Sequence, residues 1–360
     1  MRLALDEAKK GVGRTSPNPA VGAVIVQGDE VVGKGYHHKA GEPHAEVNAI
    51  ADAGKLSKGS TIYVTLEPCN HTGRTPPCTR AVLDAGIERV VIGMCDPNPI
   101  ACGGGDFLRS QGVFVSKGIL EKECRQLNYP FIKHSTTGLP WILMKAGTSL
   151  DGKITWQQGV GGPITGAQSR QAVHLLRNQL DGILIGVGTA LIDKPSLTTR
   201  LSGREGRDPV RIILDTHLRL SPDARMLQQK SSADTLIFCS HDAACDNAAS
   251  LEQAGAVICR VGLDKSSRLD LSEVLKKLGT MNIISVLVEG GAAVHGSFLN
   301  RNLVDQVCLF IAPVFIGGDG TPLVRGYSAP DNDNAVTLHD VTVEQLGDDV
   351  VLKGLVHRAL

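Results

Sequence analysis

His44-Ala45-Glu46, Glu67-Pro68-Cys69 and Cys78 decide how this chain is read. One imidazole, two thiols and one carboxylate that need not ligate make the donor set of a hydrolytic zinc site. Three protein ligands leave the fourth tetrahedral position open to water, which a catalytic zinc requires and a structural zinc does not. A bound zinc lowers the pKa of that water toward neutrality. Glu46, two residues after His44, is placed to take a proton and pass it to a leaving amine. A folding zinc would need a fourth ligand, for which His71 or Cys95 could be proposed, and would leave Glu46 without a role. Unmetallated core cysteines are the other alternative, and they make the joint placement of His, Glu, Pro and Cys a coincidence.

The 360 residues suffice for two domains of ordinary size. Lys and Arg number 37 against 37 Asp and Glu, so the formal net charge is zero and advertises neither a nucleic-acid nor a membrane partner. The 41 glycines suit many strand-to-helix turns and close backbone approach to ligands. Nine scattered cysteines, an odd count, do not frame a disulfide scaffold and point to a reducing cytoplasm. Met1 to Glu7 reads as an amphipathic helix start and not a signal peptide. No apolar run approaches a membrane span.

Residues 2 to about 11 place Leu3, Ala4 and Ala8 at helical spacing. Ser16-Pro17-Asn18-Pro19 is a turn stiffened by two prolines. Asn18 either satisfies that turn or hydrogen-bonds a heterocycle at the zinc, and it is kept as a candidate substrate contact. Val21 to Val26 and Glu30 to Gly35 read as a hairpin. His44 to Ala53 reads as a helix with His44 in its first turn. Ser60 to Leu66 is a strand, and Pro77-Cys78 opens another helix. Both cysteines are thereby expected at or near helix starts, where the dipole helps hold thiolate. Arg89 to Gly93 and Val113 to Val115 are further strands. Helices alternating with strands predict a layered α/β sheet. The polar, basic insert Asn70 to Pro77 hangs beside the zinc. It is either a solvated loop or a phosphate grip through His71 and Arg74.

His-x-Glu with Pro-Cys-x-x-Cys marks zinc nucleobase deaminases, but here eight residues separate Cys69 from Cys78. With that longer insert, four stretches resemble the deaminase half of the bifunctional riboflavin-biosynthesis deaminase-reductase family. They are Ser16-Pro17-Asn18-Pro19, Gly41-Glu42-Pro43-His44-Ala45-Glu46, Thr65-Leu66-Glu67-Pro68-Cys69 and Thr72-Gly73-Arg74-Thr75-Pro76-Pro77-Cys78. Asp96-Pro97-Asn98-Pro99 continues the match. The resemblance implies a cytidine-deaminase-like α/β/α layer, zinc on His44, Cys69 and Cys78, and Glu46 as the catalytic proton shuttle.

A helix-like run over 117 to 138 ends the first domain, giving domains 1–138 and 139–360. Trp141 to Ala146 is a strand carrying Lys145 at its end, which either snorkels to solvent or meets an anion. A helix over about 166 to 179 puts Arg170 and Arg177 on one face. Asp181 to Thr189 reads as a buried strand emptying into a glycine turn, where α/β sheets bind ligands. Val210 to Asp215 and Thr235 to Cys239 are strands, and Ile283 to Val288 runs into Glu289-Gly290-Gly291. Two glycines after a strand, opening a helix near Ala292, expose N–H groups for phosphate. Glu289 is either a ligand contact or a satisfied structural acid. Val307 to Val314 closes the sheet.

This half resembles the family's reductase domain, a dihydrofolate-reductase-like α/β fold. Lys145 with Ser149-Leu150-Asp151-Gly152-Lys153, Gly188-Thr189 with Asp193, Pro195-Ser196-Leu197-Thr198 with Arg200, Val288-Glu289-Gly290-Gly291 and Ala312-Pro313 carry the match. The resemblance implies NADPH along Gly147, Thr189, Asp193, Thr216 and Gly291-Ala292-Ala293-Val294-His295-Gly296-Ser297. It implies substrate contacts from Lys145, Arg177, Leu197, Arg200 and Glu289, and Gly161 is kept with them. Many members carry Ser-x-Trp where this chain has Gly161-Gly162-Pro163, and Trp156 is the candidate replacement for that Trp.

The expectation is two reactions in one chain. A phosphoribosylated diaminopyrimidine is deaminated at the zinc, with Lys39 or Arg74 on its phosphate. The ribosyl group is then reduced with NADPH, with Arg177 and Arg200 on the phosphate. A homo-oligomer is expected. Two rivals stand beside it. One is a deaminase of free or RNA-borne bases, which has no need of NADPH. The other is a zinc-stabilised binding module, in which losing Glu46 costs no activity.

Overall fold

Two sheets carry the chain, one in each of two units, Met1–Gly138 and Leu139–Leu360. The structure, a computed structural model, describes residues 1–71, 76–203, 205–329, 331 and 334–356. Arg74, the candidate phosphate contact, lies outside the described residues.

The first unit begins with α1 (Arg2–Gly11), the hairpin β1 (Gly22–Gln27) and β2 (Glu30–Tyr36), then α2 (Ala45–Ala53). It continues through β3 (Thr61–Leu66), α3 (Cys78–Asp84), β4 (Arg89–Met94), α4 (Gly104–Ser110) and β5 (Phe114–Ser116). α5 (Glu121–Leu127) and α6 (Tyr129–Thr137) end it. The strand order is β2-β1-β3-β4-β5, antiparallel at the hairpin end and parallel from β3 onward. Helix α2 lies hard against β2. A Cβ on Gly35 would stand 2.4 Å from Ala49 N, so a glycine is needed there. That close approach sets where His44 and Glu46 project.

Four expectations change here. His44 is not in the first turn of α2 but caps it in extended conformation, φ −74° and ψ 167°, leaving Glu46 in the first turn. Cys69 is not at a helix start. It sits in the irregular segment after β3, and Cys78 alone of the pair opens a helix. Leu3 is 48% exposed, and Leu5 takes its place on the buried face beside the expected Ala4 and Ala8. The run over 117 to 138 is two helices, because Pro130 has no N–H with which to continue α5.

The second unit opens with β6 (Trp141–Thr148), α7 (Ala167–Gln179), β7 (Gly182–Gly186), α8 (Val187–Asp193) and β8 (Val210–Leu214). The short α9 (Arg225–Gln228) leads to β9 (Thr235–Ser240), α10 (Cys245–Gln253), β10 (Ala256–Val261) and α11 (Leu271–Thr280). β11 (Ser285–Gly290), α12 (Ala292–Asn300), β12 (Gln306–Ile311), β13 (His339–Leu346) and β14 (Asp349–Leu355) complete it. The order is β10-β9-β8-β7-β11-β6-β12-β14-β13, and β10 through β12 are parallel. Parallel strands bury both faces. On β6, Ile142 and Met144 enter one apolar cluster and Leu143 the opposite one.

Two readings are corrected. Glu289 and Gly290 belong to β11 and do not follow it. β12 does not close the sheet, because the hairpin β13–β14 adds two antiparallel strands outside it. The edge strand β13 is exposed on both faces, so no buried alternation announced it. No helix among the described residues is long and apolar enough to cross a membrane.

Candidate active sites

In the first unit, the donor atoms of His44, Cys69 and Cys78 all lie within 4.8 Å of one another. His44 Nδ1 is 3.1 Å from Cys78 Sγ and 3.6 Å from Cys69 Sγ. Ligands at zinc-bonding distance on a tetrahedron stand about 3.5 Å apart, so the donors fit zinc in type and spacing. Neither His71 nor Cys95 joins the cluster. The fourth position therefore stays open among the described residues.

Several contacts hold the ligands. The Cys78 N–H, at the start of α3, donates to Cys69 Sγ at 3.4 Å. The buried carboxylate of Glu67, two residues before Cys69, accepts from Gly105 N at 2.9 Å and Asp96 N at 3.2 Å. It also pairs with Lys117 at 3.1 Å. The Cys78 thiol donates to Cys69 and lowers it to about 4, while Cys78, keeping the shared proton, is pushed up. Glu46 is 3% exposed. Burial, with the negative Cys69 beside it, raises its carboxyl to about 7, in the range that suits proton transfer near neutrality.

Asn18 does not merely close its turn. Its Nδ2 lies 3.2 Å from His37 Nε2, and His37 Nδ1 lies 3.1 Å from Pro43 O, next to His44. The His37 and His44 rings meet edge to face, centroids 5.2 Å apart. Burial lowers the His37 pKa, so the ring is neutral, with Nδ1–H donating to Pro43 and Nε2 accepting from Asn18. His37 was missed in the sequence, although it precedes the zinc stretch by a few residues.

In the second unit two cavities open at the carboxyl ends of the parallel strands, as the sheet topology directs. One, of about 470 Å³, is lined by Lys145, Gly147, Asp193, Glu289 and His295, and by Arg170 and Arg325. The other, of about 320 Å³, is lined by Thr216, Val294 and Ser297. They share Gly188, Thr189, Gly291 and Ala293. The seam is the start of α12, where Gly291 has φ +83° and a Cβ would meet Thr189 Oγ1 at 3.0 Å. Two lobes joined at a glycine-opened helix N-terminus fit a dinucleotide with its pyrophosphate at the seam.

Glu289 anchors the larger cavity. Arg177 reaches its two oxygens at 2.8 Å each and also donates to Thr198 O at 3.1 Å. Lys145 Nζ stands 3.9 Å from Glu289. Burial would raise the Glu289 carboxyl, but Arg177 and Lys145 outweigh it and hold it at about 2. Burial pushes the Lys145 ammonium down, with Glu289 opposing.

The other expected residues scatter. Ala292 lines the larger cavity, but Gly296 lines neither cavity, and a Cβ there would strike Arg325 O at 2.0 Å. His295 Nδ1 lies 3.0 Å from Leu323 O. Leu197, in left-handed conformation, is buried, and Arg200 lies against His174; neither lines these cavities. Gly161 packs on Asp193, where a Cβ would stand 1.7 Å from Oδ1. Trp156 donates its indole N–H to Pro163 O at 3.3 Å on the loop bordering the larger cavity.

Residues 1–94 match the family model for the cytidine and deoxycytidylate deaminase zinc-binding region, and residues 140–352 match that for the RibD C-terminal domain. The riboflavin biosynthesis protein RibD of Aquifex aeolicus is 40% identical over 98% of this chain and 96% of its own. The chain belongs to the RibD family. RibD of Acinetobacter baumannii is similar in structure, with TM-score 0.88 at 32% identity over 98% of this chain and 97% of that one. So is a Thermotoga maritima protein described as a diaminohydroxyphosphoribosylaminopyrimidine deaminase/5-amino-6-(5-phosphoribosylamino)uracil reductase. It has TM-score 0.85 at 36% identity, over 98% of this chain and 96% of that one. As a member of the family, this chain is a bifunctional enzyme of riboflavin biosynthesis with a zinc-dependent deaminase and an NADPH-dependent reductase. The family match over both halves excludes the two rival readings.

Proposed function

We propose that the first site removes the amine from a phosphoribosylated diaminopyrimidine and that the second reduces the ribosyl group of the resulting aminouracil. The observation carrying this reading is the pairing of an open three-donor site beside buried Glu46 with a two-lobed cavity around Lys145 and Glu289. Zinc, when bound on His44, Cys69 and Cys78, supplies a water of lowered pKa. Glu46 takes a proton and delivers it to the departing amine nitrogen. His37 orients the Asn18 amide, whose oxygen is then available to the pyrimidine edge.

NADPH, when bound along the seam at Gly291, supplies the hydride. Lys145 orients the sugar hydroxyls. Glu289, fixed by the fork of Arg177, sets the position of the Lys145 ammonium. Arg177 commits three of its five N–H groups to Glu289 and Thr198. Its remaining donors and Arg200 serve the substrate phosphate, Leu197 shapes that wall, and Gly161 leaves room for Asp193 at the cofactor. A homo-oligomer and a cytoplasmic setting belong to the same reading. The two-sided exposure of edge strand β13, with Val341 and Val343, supports the first. Nine cysteines without a disulfide support the second.

The test supplies zinc-loaded protein with the phosphoribosylated diaminopyrimidine and NADPH, and follows ammonia and NADPH absorbance together. Ammonia release preceding NADPH oxidation is expected. NADPH oxidation with no ammonia would overturn the order.

A further inference from the structure

Ala20 lies two residues past Asn18 and just before β1, and it is buried. Its N–H and C=O fall outside the β1 ladder, so they need partners from elsewhere. Asn128 supplies both. Its Oδ1 accepts from Ala20 N at 2.9 Å, and its Nδ2 donates to Ala20 O at 3.0 Å and to Cys124 O at 3.5 Å. An asparagine side chain presents an acceptor and a donor side by side, which matches the two backbone groups of one residue. The two residues stand 108 positions apart in the chain, so no local motif announces the pair.

Asn128 is itself fixed. It stands buried where α5 ends and α6 begins. Its N–H donates to Arg125 O and its C=O accepts from Ile132 N, each at 2.9 Å.

The clamp on Ala20 reaches Asn18. Pro19, whose ring fixes φ, is the one residue between them, so a shift of Ala20 is passed on rather than absorbed. On the far side Val21 O accepts from His37 N at 2.9 Å, and His37 Nε2 meets the Asn18 amide. Asn18, Ala20, Val21 and His37 thus close one ring of contacts, which Asn128 holds from outside. We infer that Asn128 is a positioning residue for deamination: by clamping Ala20 it sets where the Asn18 amide meets the pyrimidine edge. The inference rests on Asn18 as a substrate contact. A misplacement of about 1 Å at such a contact can cost up to about a hundredfold in rate.

The test is a double-mutant cycle on the zinc-loaded full chain. Deamination kcat/KM, melting midpoint, zinc content and NADPH oxidation with the pre-deaminated substrate are read for each variant. Asn128→Leu removes the hydrogen bonds at similar volume. Asn128→Asp keeps the acceptor for Ala20 N but turns a second oxygen on Ala20 O, and it carries the cycle if the leucine variant loses zinc. Asn18→Ala and Asn128→Leu should each lower deamination kcat/KM about tenfold, and the double variant should also fall about tenfold rather than about a hundredfold, because Asn128 acts through Asn18. The melting midpoint should drop with Asn128→Leu equally in both backgrounds, while NADPH oxidation stays within about twofold of wild type. A loss of about a hundredfold in the double variant would overturn the inference and leave Asn18 at the substrate. So would an Asn128→Leu chain that melts lower yet deaminates at the wild-type rate. An Asn18→Ala chain that deaminates like the wild type would overturn both.

Discussion

Arg177 Nε and Nη2 each stand 2.8 Å from a different carboxylate oxygen of Glu289, a bidentate pair almost closed to solvent at the end of a central strand. A buried pair of this kind is costly to break from one side, because the survivor is left charged and unmatched. Arg177→Ala should cost about 3–5 kcal/mol of stability in the second unit, read from urea unfolding. Arg177→Lys should restore less than half of that, since an ammonium cannot fork.

The same pair fixes an acid limit. Glu289 is held at about 2, against an ordinary value of 4.5. Because the folded value is depressed, its stabilisation is complete above about pH 4.5 and is lost as pH falls toward 2. The loss should approach about 3 kcal/mol, and Glu289→Gln should flatten that part of the pH profile. Urea midpoints between pH 6 and pH 2 measure it, with about 2 kcal/mol of the loss already present at pH 3.

Much of this site was legible and part was not. His44, Glu46, Cys69 and Cys78 could be read because the residue types and their order carry the chemistry. The geometry around them could not, since Glu67 works through Gly105, Asp96 and Lys117, far away in sequence. Continuous apolar runs revealed β6 and β7, which are buried on both faces, whereas β13, exposed on both faces, had no such signal. Lys145 and Glu289 looked ambiguous singly, and only the register of β6 beside β11 makes them neighbours.

Zinc should be needed for deamination but not for folding. Glu67, α3 and α4 hold the Cys69 segment through contacts that do not involve the metal. Chelation should abolish ammonia release, leave far-ultraviolet circular dichroism unchanged and lower the melting midpoint by only a few degrees. Unfolding of the first unit on chelation would make the zinc structural.

Gly161 leaves no room for a side chain beside Asp193. Gly161→Ser should displace Asp193 from the larger cavity and raise the KM for NADPH about tenfold. Ammonia release should not change. Steady-state kinetics of each half-reaction, followed separately, measure both effects.

The central claim is two separate chemistries in one chain, and Glu46→Gln tests it most directly. With zinc content confirmed, the variant is given the diaminopyrimidine in one assay and the pre-deaminated aminouracil with NADPH in another. Ammonia release should fall below detection while NADPH oxidation continues within about twofold of wild type, because Glu46 acts only at the first site. Equal loss of both activities would contradict two independent sites.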